Sequence, residues 1–213
     1  MGVLKIINAI IEKRAPGIPP SYTEAHVLMA LENIGSHGSI GRQRLSRILD
    51  IGEGATRTMV KRLSLEGLIK VSRGGITLTR KGENLLSELR KKISGEIKVP
   101  KSSITVGCSN TAILVRNAAS AVKKGIEQRD AAIKIGALGA TTLVFDGSKL
   151  IIPSVEEEKF MRDPIHEILI SKLKPKNGDV IIIGSAEDDH SASLGAKTAA
   201  LELLKILERN ENS

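Results

Sequence analysis

Aromatic side chains are almost missing from this chain: its 213 residues include one Tyr, two Phe and no Trp. Proteins that hold single-stranded nucleic acid stack its bases on aromatic platforms. Tyr22, Phe145 and Phe160 are too few for that mode, so any nucleic acid is expected to be read as a duplex. Cysteine is equally scarce. Cys108 stands alone, which excludes an internal disulfide and a thiolate zinc cluster and points to a reducing, cytoplasmic compartment. The four histidines, His26, His37, His166 and His190, have no HxxxH or HExxH spacing, so no metal site is expected. No GxxxxGK[ST] loop or GxSxG elbow occurs. Gly136 to Gly139 follows a helical stretch instead of a strand, so no dinucleotide cofactor is expected either.

Long apolar runs are also absent. The first residues are apolar at Val3, Leu4, Ile6, Ile7, Ile10 and Ile11, but Lys5 and Glu12 interrupt them. This is far short of the roughly 20 residues a membrane span needs, and no small-residue cleavage site follows. Its spacing predicts a packing or dimerising helix.

What the chain does have is positive charge, unevenly placed. Residues 1–98 hold 17 Lys and Arg against 9 Asp and Glu, and residues 99–213 hold 15 against 15, so the whole net charge of +8 lies in the first half. Clustered cations gain free energy by releasing counterions condensed on phosphates, so the asymmetry suggests a polyanion-binding half joined to one with another role. A merely soluble basic surface is the bland alternative.

After the breaker at residues 15–20, a helix can start near Thr23, capped by Ser21 or Thr23, and stop at Gly35. A second is expected over Gly41 to Leu49, and a third over Glu53 to Glu66 between the turn at Gly52 and Gly54 and the stop at Gly67. At about 100° per residue, Ala55, Met59, Val60 and Leu63 share one arc of the third helix, with Arg57, Thr58, Lys61 and Ser64 opposite. Residues 68–79 read as a hairpin with Gly74 and Gly75 at its tip, and a fourth helix is expected from Arg80 to about Ile93.

Helix, helix, turn, helix, hairpin, helix is the order of a winged helix. The stretch from Gly54 to Ile69 resembles the recognition helix of archaeal and bacterial winged-helix transcription regulators, and Ile76 to Gly82 resembles the segment by which their wing re-enters a helix. The likeness spans roughly Thr23 to Lys92. It implies that the third helix enters the major groove of double-stranded DNA. The residues read the same way: Arg57 and Lys61 lie one turn apart within reach of guanine edges or phosphates, and Thr56, Thr58 and Arg62 share their helix. Arg42 and Arg44 on the second helix and Arg73 at the wing tip would meet flanking phosphates or a minor groove. The third helix departs from a common pattern in having no Asn or Gln to read adenine bidentately.

In the neutral half, Lys98 to Ser103 reads as a linker. Two β segments (104–107 and 112–116), a helix (118–135), a hairpin around Asp146, Gly147 and Ser148, a helix within 155–173 interrupted or restarted at Pro164, a strand (179–184) and a helix (191–208) are expected in that order. The fold class expected overall is α+β: a winged helix-turn-helix followed by a two-layer α/β sandwich, ββαββα plus βα. The stretch from Gly125 to Leu143 resembles archaeal winged-helix proteins of an uncharacterised family, which implies an architecture without an activity.

Three places in this half could carry chemistry. Arg129 falls on the arc of Ala118, Val122, Ile126 and Ile133, which puts a guanidinium on a face expected to be buried, so that it needs an internal ion pair, a stem that snorkels to water, or an anionic ligand. Ser185, Asp188, Asp189 and His190 occupy a loop between strand and helix, where backbone donors are free, and with Arg129 are the effector-binding candidates. The acidic residues suit a metal ion, an amine or a hydroxylated ligand better than a nucleotide, and a capped, solvent-exposed turn is the alternative. Cys108 reads as a small inert residue.

The reading is a homodimeric transcription regulator that binds duplex DNA, with a second half that pairs subunits or senses a small effector. Two alternatives stand beside it. One is a nucleic-acid-associated enzyme with a site around Asp188, Asp189 and His190, and the other is a winged-helix protein-docking module.

Overall fold

A computed structural model describes residues 2–12, 21–153 and 163–211. The breaker at 15–20 and the first part of the helix expected within 155–173 lie outside the described residues. The chain divides into two compact units, Met1–Arg90 and Lys91–Ser213.

The first unit runs α1 (Val3–Ile11), α2 (Glu24–His37), α3 (Arg42–Leu49), α4 (Glu53–Leu65), the hairpin β1 (Ile69–Ser72) and β2 (Gly75–Leu78), then α5 (Arg80–Lys92), which carries the chain out of it. Apolar residues at helical spacing make one core of Ile7, Ile10, Leu28, Leu31, Ile34, Leu45, Leu49, Met59, Leu63 and Leu89. Thr23 caps α2, its N–H donating to His26 Nδ1 at 3.1 Å. That helix runs past the expected stop at Gly35 and turns at Gly38, where φ is +66°. Gly35 serves packing instead: a Cβ there would lie 2.9 Å from Leu86 Cδ2. The hairpin is pinned by Ile40, which exchanges backbone hydrogen bonds of 3.0 and 2.9 Å with Ile76.

The second unit contains β3 (Ile93–Val99), β4 (Ser109–Val115), a 3-10 turn (Ala119–Ala121), α6 (Ile126–Lys134), β5 (Gly139–Phe145), β6 (Leu150–Ile151), α7 (Ile165–Leu173), β7 (Val180–Ala186) and α8 (Asp189–Glu211). The five strands pair antiparallel throughout in the order β3, β4, β7, β5, β6. The observed order of strands and helices matches the expected one except that its first strand is β3 and not residues 104–107, and the fold is α+β. Its layering differs from a two-layer sandwich. Ala112, Leu114, Leu143, Phe145, Ile181 and Ile183 pack with Ile165, Leu169 and Leu173 of α7 on one face of the sheet. Gly184, on the alternate face of β7, lies against Ala192 and Ala196 of α8. A sheet apolar on both faces needs a cover on each, and β7 is accordingly buried along its whole length.

Three expected boundaries moved. The residues read as the end of a helix and a linker form β3, an edge strand kinked where the register shifts between Ser94 and Ile97 and Gly95 takes φ +66°. Residues 104–107 are loop, and Cys108 to Thr111, read as loop, mostly begin β4. The helix expected over 118–135 is split, because Gly125 takes φ +74° to start α6. Pro164 stands just before α7, consistent with its fixed φ.

A buried carboxylate ties the sheet together. Asp179 accepts hydrogen bonds from Arg116 (2.7 Å), the Asn117 N–H (3.0 Å) and the Lys176 N–H (2.8 Å), while its own carbonyl receives the Phe145 N–H at 2.9 Å. Burial alone would raise its pKa, but these donors outweigh it and hold the carboxyl below the ordinary aspartate range. A depressed folded-state pKa contributes stability above the unfolded value, near 3.9, that is lost as pH falls through the folded value. Asp179→Asn is expected to cost about 2 kcal/mol at neutral pH. The difference from the unaltered protein should shrink as acid is added, as measured by urea unfolding at a series of pH values.

Candidate nucleic-acid interface

Helix α4 buries Thr56, Met59, Val60 and Leu63, a stripe at i, i+3, i+4 and i+7. The opposite face exposes Arg57, Thr58, Lys61 and Ser64. Arg57 and Lys61 are thus brought together one turn apart, with Thr58 beside them donating to the Gly54 carbonyl at 3.0 Å. Glu53, the acidic residue of α4, stands one turn before Arg57 on the exposed side, and Lys61 one turn after it.

Two residues expected on this surface are elsewhere. Thr56 is fully buried and donates to the Gly52 carbonyl at 3.2 Å, so it cannot reach a groove. Arg62 is half-buried and donates to the carbonyls of Ile10 (2.7 Å) and Ile11 (3.1 Å) at the end of α1. Those carbonyls carry the negative end of a helix and have no partner within it, so a guanidinium there closes α1 against α4.

On α3, Arg42 and Arg44 are exposed, and so are Gln43 and Arg47, which sequence reasoning passed over. A helical wheel sets both opposite the buried Leu45 and Leu49, and that signal would have found them. Arg44 donates to His37 Nε2 at 3.0 Å, while His37 Nδ1 sits 2.9 Å from the Asn33 carbonyl. Both contacts are met at once by a neutral imidazole protonated on Nδ1. Arg73 is exposed at the hairpin tip, which Ser39 secures by donating to the Gly74 carbonyl at 2.6 Å. Gly75 cannot be replaced there without strain: its φ is +116°, and a Cβ would lie 2.5 Å from Ser39 Oγ.

The residues singled out in the second unit are held by local partners. Ser185 is buried and donates to Asn110 Oδ1 at 2.7 Å. Asp188 caps α8, its carboxylate accepting from the N–H (2.9 Å) and hydroxyl (2.7 Å) of Ser191, and these bonds hold it below its ordinary range. Asp189 forms an exposed ion pair with Lys98, whose hydrogen bond is the main cause of its own lowered pKa. His190 is half-buried in the first turn of α8. Arg129 is not on a buried face. Because α6 begins only at Ile126, the arc shared with Ala118 and Val122 does not exist, and the guanidinium lies in solvent bonded to Asp130 at 3.0 and 3.2 Å. The buried residues of α6 are instead Gln128 and Ala132. Cys108 is an exposed free thiol donating to the Glu187 carbonyl at 3.0 Å. No group of three or more His, Cys, Asp or Glu among the described residues could hold a metal ion.

Comparison with known proteins agrees with this division. Residues 28–93 match the family described as the CggR N-terminal DNA-binding domain, and residues 106–203 match a domain of unknown function, DUF4443. Fold and match together define a class: a regulator-like chain with an N-terminal helical domain of the DNA-binding type, followed by a sheet-and-helix domain. One solved structure similar to most of the chain is hypothetical protein PH0730 from Pyrococcus horikoshii OT3. It is 29% identical with a TM-score of 0.67, over 87% of this chain and 100% of that one. No curated protein matches. Among the described residues no helix is long and apolar enough to cross a membrane.

Proposed function

We propose that the chain is a homodimeric, cytoplasmic transcription regulator whose first unit is a winged helix. On this reading α4 lies in the major groove of duplex DNA, and the hairpin is the wing. The observation that carries it is the exposed face of α4. Arg57 and Lys61 stand there one turn apart, in the half of the chain that holds all the net charge. Arg57, Thr58 and Lys61 read or grip the groove, Arg42, Arg44 and Arg47 meet the flanking backbone, and Arg73 reaches phosphates or a minor groove from the wing. Of the two roles expected for the second half, subunit pairing has the stronger support. The side chains proposed to bind an effector, Arg129, Ser185, Asp188, Asp189 and His190, are engaged by Asp130, Asn110, Ser191 and Lys98 or lie in the capped turn.

Salt dependence is the direct test. Each phosphate neutralised adds about −0.9 to the slope of log affinity against log salt. Six such contacts per complex would weaken binding on the order of a thousandfold or more between 50 and 200 mM salt. Titration of the full chain into a labelled duplex should show a steep slope. Absence of duplex retention even at low salt would overturn the reading.

A further inference from the structure

Helix α6 wears its apolar side outward. Of the described residues, the exposed large hydrophobics of the second unit are Val106 (65% exposed), Ile126 (44%), Ile133 (47%) and Leu138 (44%), and all four belong to α6 or its surroundings. Ile126, Arg129 and Ile133 share one helical face at i, i+3 and i+7. Val106 and the Arg129 stem both lie beside Gly139, where a Cβ would stand 3.4 Å from Val106 Cγ2 and 4.0 Å from Arg129 Cγ; Leu138 is the residue before. These side chains therefore form one patch around Arg129. Meanwhile the inward side of the helix buries Gln128, whose amide has no hydrogen-bond partner. Burying an amide while exposing two isoleucines is the reverse of what a helix facing only water would do.

We infer that this patch is where a second copy of the chain docks. Two observations select that occupant. First, the half that carries the patch is neutral, with 15 basic and 15 acidic residues, so two copies meet there without the repulsion the basic half would impose. Second, the charges beside the apolar stripe are self-complementary. At 3.6 residues per turn, Arg129 falls about 60° to one side of Ile126 and Asp130 about 40° to the other. A two-fold axis running along α6 lays Arg129 of each copy beside Asp130 of the other, while Ile126 and Ile133 meet their own counterparts. Such an isologous contact uses the same surface twice and closes at two subunits. The bond Arg129 now makes to Asp130 of its own chain is exchanged for one across the interface.

This deepens the homodimer reading above and rests on it. Four half-exposed aliphatic side chains make a small interface, so a dimer in the micromolar range is expected, strengthened when two half-sites on DNA hold both copies. Sedimentation equilibrium of the full chain without DNA tests it, independently of any operator. The unaltered protein should be a concentration-dependent dimer. Ile133→Glu, and separately Val106→Asp on the neighbouring loop, should raise the dissociation constant at least about tenfold with the unfolding temperature preserved, since both positions are exposed. Arg129→Glu should weaken association, and Arg129→Glu combined with Asp130→Arg should restore it. A protein that stays monomeric to about 100 µM overturns both this surface and the dimer reading. A dimer indifferent to Ile133→Glu and Val106→Asp, or one the double reversal fails to restore, overturns the surface alone and leaves dimerisation standing.

Discussion

Replacing Arg57 and Lys61 together by alanine is expected to lower duplex affinity on the order of a hundredfold, with the melting behaviour of the protein unchanged. The size follows from two contacts, each worth about 1 to 3 kcal/mol when directed at a base edge or phosphate. Stability should be spared because both side chains project from the exposed face of α4 and leave its buried stripe of Met59, Val60 and Leu63 intact. Fluorescence anisotropy against one labelled duplex at fixed salt measures the loss, and the salt slope should fall by about one for each residue that had met a phosphate. Arg62→Ala is the informative contrast. It removes the two bonds to the end of α1, so it should lower the stability of the first unit more than its affinity for DNA. If the double variant bound as tightly as the unaltered chain, α4 would not be the reading element.

Gly184→Ala is expected to destabilise the second unit severely. At that point the central strand β7 passes so close to α8 that a Cβ would lie 2.3 Å from the Ala192 carbonyl oxygen, 2.5 Å from the Ala196 nitrogen and 3.0 Å from its Cα. All three are backbone atoms, so no side chain can swing aside, and relief requires α8 to move off the sheet. The small residues Ala192, Ala196, Ala199 and Ala200 along α8 are buried by that close approach. Overpacking of this kind costs about 3 kcal/mol or more, a large share of a domain's net stability of roughly 5 to 15 kcal/mol. Calorimetry should show a transition lowered by about 10 °C or more. Gly54→Ala supplies the opposite case: its Cβ would meet nothing within 4 Å, and its helical position should gain about 0.5 to 1 kcal/mol.

Much of the DNA-binding half was legible because its signals are local. Gly67 ends α4 in a left-handed turn, with φ +67°, and the wheel of residues 53–66 separates Arg57 and Lys61 from Met59 and Leu63 without knowledge of any neighbour. Thr56 shares the local stripe of Met59, Val60 and Leu63, so its burial is readable from the wheel, whereas Arg62 is misplaced because its partners lie far along the chain. Arg62 is drawn inward by carbonyls 51 and 52 residues away, which no pattern within α4 encodes. Likewise β3 directly follows α5 with no breaker between them, and its strand character comes from pairing with β4 and a kink at Gly95. Arg129 was assigned to a buried arc by extending one helical period across Gly125, whose positive φ resets the helix.

The sequence alone determined a basic first half, a neutral second half, the helices and hairpin of the first unit, and the polar face of α4. These follow from residue type and period, which act over a few neighbours. Only the tertiary structure decided which charged and polar groups are free to meet a partner. It assigned Arg62 to α1 and Asp189 to Lys98, gave the sheet a helix on both faces, and turned the isoleucines of α6 to the outside. Burial and pairing are settled by contacts between segments distant in sequence, so they become readable only when the chain is folded.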